Sequence, residues 1–508
     1  MRYYVTLNKP DFDLKDIIII SPDKAIELIS DWDTIQFDTE TSGVDARIAK
    51  VLCAQFGNDS SNTRIVVNTS EVDLKLFKPL LESKIVVGQN LYFDLQFLYS
   101  YGIICTKVYD TMIVEQLLYL GYPIVNSGGP SMSLKAIAER RLNVQLSKEV
   151  RGQIIWRGLD YEVLNYALND VVYLERIMNS QLRDCKSKDC INAAKLECKF
   201  IPALAYCAWC GIKIDVDKWK AKMKQQEYIL DSTINKLNEF IIKNNNPKFV
   251  YVSNQADLFL GYDPTPKVSF TWGKIGVKAK KDPIIDFIES LGFNVYTVDK
   301  KTKIPKKSVD LKELKKQKGI NDEFLKLYTT YSEAYKVCTT YGITYLNAIN
   351  PITGRIHTQF KAIAADTGRV ACNSNEDGDD VESIKINPDL AKLKGFPLKT
   401  NDITLKCGYP NIQTLPADEI TRSCFIPEEG NVFCSCDWSA IESRLGADIY
   451  NEKAMIDEFL HGSGDLHSLV ASKIFKELAN VPVKDIKTLY PNLRKKAKPV
   501  ELDCEDSL

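Results

Sequence analysis

The sequence predicts an α/β domain, followed by a mostly helical region and then by a partial α+β region. Three observations support this order. Strand-like and helix-like segments alternate over residues 1–180, long helical periodicity begins near residue 186, and short strands mix with turns from about residue 346. A chain of 508 residues exceeds a single hydrophobic core, so we expect two or three domains.

Short apolar runs bounded by turn residues define the strands of the first region, and longer periodic segments define its helices. The predicted strands are 33–38, 49–56, 65–68 and 84–87. The predicted helices of this region are 94–101, 134–140 and 161–180. Further along, helical periodicity predicts helices over 191–209, 217–245 and 312–341.

Composition describes an ordinary globular protein, with 45% hydrophobic and 26% charged residues. No apolar run is long enough to span a bilayer, and the N-terminus lacks the apolar core of a signal peptide. Fourteen cysteines without a secretory signal indicate free thiols, so we expect a cytoplasmic protein without a membrane partner. The net charge of −1 does not indicate a class of partner. Lysines cluster over 267–318, where they form either a solvated surface or a binding site for the phosphates of duplex DNA.

Four acidic residues on three separate segments are the most informative feature of the chain. Asp38 and Glu40 lie two apart in a strand-like run, which places both on one face of the strand. Asp94 and Asp170 lie on helix-like segments, and Tyr166 precedes Asp170 by one helical turn. Divalent cations such as Mg²⁺ prefer oxygen ligands, and two ions about 4 Å apart can bind both oxygens of a phosphoryl displacement. The pattern therefore predicts a hydrolase that cuts phosphodiesters.

A second group of polar residues follows residue 430. An apolar run over 432–436, predicted to be a strand, ends at Asp437, and a helix-like segment then carries Glu442. Further on, Arg494 and Lys498 share one face of a helix, and two cations one turn apart suit a triphosphate.

The first group resembles the proofreading 3′→5′ exonucleases of the DEDD superfamily, in the tyrosine-bearing subtype, over about residues 30–180. The segment 109–112 adds to the resemblance. It implies a ribonuclease H-like fold acting on single-stranded 3′ ends, with water oriented by Tyr166 and the terminal nucleotide positioned by Asn90. It also implies two Mg²⁺ or Mn²⁺ ions held by Asp38, Glu40, Asp94 and Asp170.

The second group resembles the polymerase module of phage-type, DNA polymerase I-like family A DNA polymerases, from about residue 186 to about 501. The resemblance implies that Asp437 binds catalytic metal and that Glu442 senses the sugar 2′ position. It implies contacts to primer–template from Arg369, Asn411 and Gln413. It implies contacts to the phosphates of the incoming dNTP from His467, Arg494 and Lys498.

By this resemblance, residues 1–185 form the exonuclease, 186–345 a helical thumb that includes 211–215 and 333–336, 346–448 a partial palm, and 449–508 the start of the fingers. By the same resemblance, we expect a short, phage-like form without a 5′-nuclease segment before the exonuclease. The later palm carboxylates of the family have no counterpart after Asp437. We therefore expect that this chain alone does not extend a primer.

Three hypotheses follow from the sequence. The chain is a family A polymerase with proofreading that needs a second chain for the rest of its polymerase site, as in a split polymerase. Alternatively, it is a stand-alone 3′→5′ exonuclease whose second half binds DNA. A non-catalytic scaffold is the third hypothesis, and the acidic quartet argues against it.

Overall fold

The computed structural model describes residues 1–121, 129–146, 154, 158–252, 256–257, 261–262, 265–279, 281–298, 304–317, 319–350, 352–363, 367–372, 384–385, 404–405, 410–416 and 418–497. The chain divides into two compact units, Met1–Glu428 and Glu429–Leu508. Across these described ranges, every helix is too short or too polar to cross a bilayer.

A seven-stranded mixed sheet organises the first part of the larger unit. Its strands are β1 (Arg2–Val5), β2 (Ile18–Ile20), β3 (Thr34–Thr41), β4 (Val51–Asn58), β5 (Thr63–Asn68), β6 (Ile85–Gly88) and β7 (Val108–Asp110). The spatial order is β2-β1-β5-β4-β3-β6-β7. β4 runs antiparallel to both of its neighbours, and the other pairs are parallel. The four predicted strands are confirmed, with ends shifted by at most three residues.

Helices cover this sheet. They are α1 (Pro22–Ser30), α2 (Lys78–Ser83), α3 (Leu91–Ser100), α4 (Thr111–Leu118), α5 (Leu134–Leu142), α6 (Tyr161–Asp170) and α7 (Leu174–Ser187). One face of β3 places Ile35 and Phe37 in the main hydrophobic core. On the opposite face of the sheet, Leu164, Ala167 and Leu168 of α6 pack with Cys53 of β4 and Val66 of β5. Both faces of the sheet are therefore covered by helices, as an α/β fold requires.

The predicted single helix over 161–180 is wrong. The structure ends α6 at Asp170 and begins α7 at Leu174, with a turn over 171–173. Two consecutive β-branched residues, Val171 and Val172, have low helix propensity. The main cause is tertiary, because side chains of the sheet bind the backbone of this turn, as described below.

The rest of the larger unit is mainly helical, with a small sheet. Two long helices follow α7 directly: α8 (Ile191–Cys210) and α9 (Val216–Asn244). The strand β8 (Ile212–Ile214) lies between them and pairs with Arg355–Ile356 and Phe425–Ile426. The segment 211–215, assigned from the sequence to a helical thumb, is thus mostly a strand. The remaining strands are Val250–Val252, Ala256–Asp257, Gly261–Tyr262, Pro266–Val268, Tyr296–Val298, Pro305–Lys307, Phe360–Lys361, Ala371–Cys372, Ile384–Lys385 and Thr404–Leu405.

The predicted helix over 312–341 is divided. The structure has Leu311–Lys315, then Asp322–Lys336, and then a π-helix over Val337–Gly342. Gly319 adopts a positive φ of 90°, and the Asn321 side chain accepts a hydrogen bond from the Phe324 amide at the start of the new helix. Gly319 lies in the connection between the two helices, and the Asn321 cap begins the second one. The other helices of this region are Lys281–Ser290, Ile343–Asn347 and Glu419–Arg422.

The smaller unit contains short helices around a compact core. The helices are Ile441–Ile449, Lys453–His461, Leu466–Ile474, Val483–Leu489 and 491–497. The predicted strand over 432–436 is wrong, because this segment has no ladder partner among the described residues. Val432 is 86% exposed and Phe433 56% exposed, so the apolar residues that suggested a buried strand lie at the surface.

Candidate active site

Strand alternation places the two acidic residues of β3 on the face that lies under α6. Asp38 and Glu40 point to this face, and Phe37 points into the opposite core. Across the ladder, Asp38 is paired with Gln55 and Glu40 with Cys53. The Cys53 thiol is fully buried, and its pKa is raised well above the usual range by burial and by the charges of Glu40 and Asp38. The thiol therefore stays neutral beside the carboxylates.

Helix α6 brings two more predicted residues to the same place. Ligand atoms of Asp38, Glu40 and Asp170 all lie within 4.8 Å of one another. The Tyr166 hydroxyl forms a hydrogen bond with the Asp170 side chain. Burial, followed by the negative charges of Asp170 and Glu40, raises the pKa of Tyr166 far above its usual range. The phenol therefore remains protonated and acts as a hydrogen-bond donor.

Asp94 lies next to this group rather than within it. Its side chain is buried in the first turn of α3, and its Oδ1 accepts a hydrogen bond of 2.6 Å from the hydroxyl of Thr39, the residue between Asp38 and Glu40. Burial raises the pKa of the Asp94 carboxyl to about 7. Three of the four predicted carboxylates therefore form one cluster. The fourth, Asp94, is hydrogen-bonded to Thr39 of the same strand.

Asp110 is a structural carboxylate for which the sequence analysis proposed no role. It is fully buried at the end of β7 and accepts hydrogen bonds from the amides of Met112 and Ile113, capping α4. It also accepts from the amides of Asn90 and Leu91, at 3.1 and 2.7 Å, where α3 begins. Asp110 thus fixes the left-handed Asn90, whose φ is 62°, and the helix that carries Asp94. The resemblance at 109–112 was the available signal.

The cluster is suited to a hard divalent cation. All of its donors are carboxylate oxygens on rigid elements, and they are half-buried, so water and substrate can reach them. Such a donor set matches Mg²⁺ or Mn²⁺ rather than softer metals. Among the described residues, it is the one group of three or more potential ligands that close together.

The smaller unit contains a cleft of about 670 Å³. The lining residues include Asp437, Glu442, Asp465, His467, Lys484, Lys487 and Arg494. Four of the predicted polymerase residues thus line one cleft, while Lys498 lies outside the described residues. Lys484 and Lys487 were not predicted. They are two lysines on the helix Val483–Leu489, and nothing in their spacing distinguishes them from other surface lysines.

Arg494 is held by an acidic residue of the same cleft. Its guanidinium donates to Asp465 from Nε to Oδ2 at 2.9 Å and from Nη2 to Oδ1 at 2.8 Å, a two-bond ion pair. The ion pair and the Ser468 hydrogen bonds outweigh burial and lower the pKa of Asp465. Arg494 is thereby oriented across the cleft wall.

The three residues assigned to primer–template contact lie in the larger unit. Gln413 accepts from the Cys372 amide at 2.8 Å and donates to the Val370 carbonyl at 3.2 Å. Asn411 accepts from the Gln413 amide at 3.0 Å. Arg369 is exposed and directly precedes Val370. The structure therefore groups the segments of all three residues.

The structure describes only some of the lysines of the segment 267–318. Lys307 is engaged in ion pairs with Asp286 and Glu289, at 3.6 and 2.7 Å. Lys280, Lys300, Lys301, Lys303 and Lys318 lie outside the described residues.

Two protein-family models match this chain, one in its first part and one in its last part. Residues 20–184 match a 3′-5′ exonuclease domain model, and residues 399–502 match DNA polymerase family A. The chain belongs to the family A DNA polymerases. The exonuclease match covers Asp38, Glu40, Asp94 and Asp170, and the polymerase match covers Asp437 through Arg494. The predicted family and fold class are therefore confirmed, whereas the roles of individual residues stay predictions.

Relatives of this family A chain include bacterial and phage enzymes. DNA polymerase I of Aquifex aeolicus is 26% identical over 475 residues, covering 89% of this chain and 66% of the relative. The DNA polymerase of Mycobacterium phage D29 is 24% identical over 473 residues, covering 86% of this chain and 65% of the relative. The chain thus spans slightly less than two thirds of these relatives, and 46% of the DNA polymerase I of Borreliella burgdorferi.

A solved structure shares the overall fold of this family A chain. The polymerase domain of Pol1 from M. smegmatis, in complex with DNA primer-template and dNTP, has a TM-score of 0.61 at 15% identity. The match covers 98% of this chain and 70% of that one. The likeness supports the predicted order of an α/β domain followed by a mainly helical polymerase region.

Proposed function

We propose that this chain hydrolyses the 3′-terminal phosphodiester of single-stranded DNA as the proofreading exonuclease of a family A DNA polymerase. The observation that carries the proposal is the cluster of Asp38, Glu40 and Asp170, whose ligand atoms lie within 4.8 Å in a domain matched to 3′-5′ exonucleases. Divalent Mg²⁺ or Mn²⁺ ions bound there, two in the proposed site, would activate water and stabilise the departing oxyanion.

In this proposal, side chains of the domain hold the cations, the attacking water and the 3′-terminal nucleotide in fixed positions. Asp38, Glu40 and Asp170 would hold the cations, and Asp94, which accepts a hydrogen bond from Thr39, would complete the set. The Tyr166 hydroxyl, protonated and hydrogen-bonded to Asp170, orients the attacking water. Asn90, whose backbone amide donates to Asp110, lies at the start of α3, and its proposed role is to position the 3′-terminal nucleotide.

The test is degradation of a 3′-labelled single strand with Mg²⁺. Asp38→Ala and Asp170→Ala should reduce the rate to background, because each removes a carboxylate from the cluster, while DNA binding should persist. The matched control is Asp23→Ala, which removes an exposed carboxylate in the first turn of α1 and should leave the rate unchanged. Robust digestion by either cluster variant would refute the proposal.

A second proposed function rests on the cleft of the smaller unit. Asp437, Glu442, His467 and Arg494 line it together, which supports a site for a dNTP, with Asp437 as a metal ligand. The proposed domain division, with thumb over 186–345, palm over 346–448 and fingers over 449–508, follows from the resemblance. Arg369, Asn411 and Gln413 are proposed to contact primer–template in the palm.

The cleft needs a separate test. Binding of a dNTP to the full chain is measured with and without Mg²⁺. Asp437→Ala should remove the Mg²⁺-dependent part of the affinity, because it removes the proposed metal ligand from the cleft. Equal Mg²⁺ dependence in Asp437→Ala and in the unmodified chain would contradict this function.

A further inference from the structure

The turn over 171–173, directly after Asp170, lies on a row of three residues that crosses the sheet. Gln36 on β3 is paired with Gly57 on β4, and Gly57 is paired with Arg64 on β5. Side chains two apart on a strand share a face, so Gln36 lies on the same face as Asp38, about 7 Å along β3. This row is therefore the neighbour of the acidic cluster on the sheet surface.

Gln36 binds the start of α7 by reciprocal hydrogen bonds. The Glu175 amide donates to the Gln36 side-chain oxygen at 3.0 Å, and Gln36 Nε2 lies 3.4 Å from Glu175 Oε2. The same Glu175 oxygen accepts from the Asp59 amide at 2.7 Å. Gln36 is fully buried and Glu175 is 7% exposed. These bonds fix the residue five positions after Asp170 to the strand that carries Asp38.

Arg64 binds the turn from the other end of the row. Its Nη2 donates to the Val172 carbonyl at 3.4 Å and to Asp59 Oδ1 at 2.8 Å. Its Nη1 donates to the Asn58 carbonyl at 2.9 Å. Arg64 is 5% exposed, so its position is set by these partners rather than by solvent.

Gly57, in the middle of the row, allows the turn to approach the sheet. A Cβ atom added at Gly57 would lie 3.0 Å from the Val171 carbonyl oxygen and 3.2 Å from a Val171 methyl carbon. Both contacts are tighter than most real Cβ contacts, and one of them is to backbone. The turn therefore rests directly on the sheet, and any larger residue at position 57 would displace it.

We propose that Gln36, Gly57, Arg64 and Glu175 form a clamp that sets the position of Asp170 and Tyr166 relative to Asp38 and Glu40. These are positioning residues, because they act on the cluster through the turn and α6. Loss of the clamp would release the C-terminal end of α6, and the Asp170 carboxylate would move away from the β3 carboxylates. This inference rests on the proposed exonuclease function and adds the element that assembles its metal site.

The test compares two substitutions of similar length at Glu175. Glu175→Gln keeps an oxygen that can accept from the Asp59 amide and from Gln36, whereas Glu175→Met cannot accept. We expect Glu175→Met to weaken Mn²⁺ binding and to slow exonuclease activity, each by about 10- to 100-fold, the range for groups that orient metal ligands. Glu175→Gln should recover most of both. Mn²⁺ binding is measured on the full chain without DNA, by electron paramagnetic resonance.

A second test variant and a control show whether the effect on Mn²⁺ binding is specific to the loss of the Glu175 carboxylate. Gly57→Ala should weaken Mn²⁺ binding in the same way, because it displaces the turn. Glu162→Met, at an exposed position on α6, is the matched control and should bind Mn²⁺ as the unmodified chain does. Melting temperatures are recorded for all variants, and binding is compared well below them, so that a loss of folding is distinguished from a loss of positioning.

The possible outcomes separate the two proposals. Unchanged Mn²⁺ affinity in folded Glu175→Met and Gly57→Ala would overturn the clamp while leaving the nuclease intact. If the unmodified chain neither binds Mn²⁺ through Asp38, with Asp38→Ala as reference, nor degrades DNA, the proposed function itself is overturned. Weakened Mn²⁺ binding in both variants, with recovery in Glu175→Gln, supports the clamp.

Discussion

The Thr39 hydroxyl donates a hydrogen bond of 2.6 Å to the buried Asp94 carboxylate, and so joins β3 to α3 beside the metal-binding cluster. Thr39→Val should remove this bond with little change in shape. It leaves a buried acceptor without that donor, which costs about 1–3 kcal/mol of stability. We expect a lower melting temperature and a higher Mg²⁺ concentration for half-maximal exonuclease rate. Thr39→Ser, which keeps the hydroxyl, is the control; equal behaviour of the two variants would contradict this role for the bond.

Tyr166 offers a test of water orientation apart from metal binding. Tyr166→Phe removes the hydroxyl that contacts Asp170 but leaves all four carboxylates in place. The exonuclease rate should fall by about 10- to 100-fold, since a misplaced nucleophile costs this much. The Mg²⁺ concentration for half-maximal rate should change little. A rate equal to that of the unmodified chain would exclude a role for the phenol.

His357 predicts a dependence of stability on pH. It is 4% exposed; burial, and then the neighbouring Arg47, lower its pKa to about 4. Between pH 6.5 and 4 the unfolded chain therefore binds a proton that the folded chain does not. The free energy of unfolding should fall as pH decreases through this window, by about 2 kcal/mol at pH 5 relative to pH 7.

Thermal unfolding at pH 7, 6 and 5 checks this expectation. His357→Gln removes the titrating group, so part of the decrease in melting temperature at low pH should disappear. His461 and His467 are present in both proteins and cancel in the comparison. The same pH dependence in both proteins would show that His357 does not contribute.

Arg494 provides a prediction for the cleft of the smaller unit. Arg494→Met should weaken binding of a dNTP by about 10- to 100-fold, the value of one or two charge-assisted hydrogen bonds. Equilibrium binding of a fluorescent dNTP to the full chain measures this loss. Lys473→Met removes an exposed cation on a helix of the same unit, away from the residues that line the cleft, and is the control. Equal affinity in both variants would remove Arg494 from the proposed dNTP site.

The sequence by itself determined the strand that carries Asp38 and Glu40, because alternation of apolar residues along β3 is a local signal. It also determined most of the long helices, such as Ile191–Cys210, from periodicity. The spacing of the acidic residues predicted a shared site, and the structure brings Asp38, Glu40 and Asp170 together. The strand and the helices depend on residues close together in the chain, whereas the meeting of Asp170 with β3 is a tertiary contact.

Only the tertiary structure decided the turn after Asp170, the role of Asp110 and the exposure of 432–436. The turn depends on Gly57 and Arg64, which are more than 100 residues away and meet it through the register of three strands. Asp110 accepts hydrogen bonds from backbone amides at the starts of two different helices. The segment 432–436 has an apolar pattern typical of a strand, yet a strand forms only where a neighbour accepts its hydrogen bonds. The local sequence pattern specifies a helix or a strand. Where that helix or strand ends, and whether it is buried, depends on contacts with residues distant in the chain.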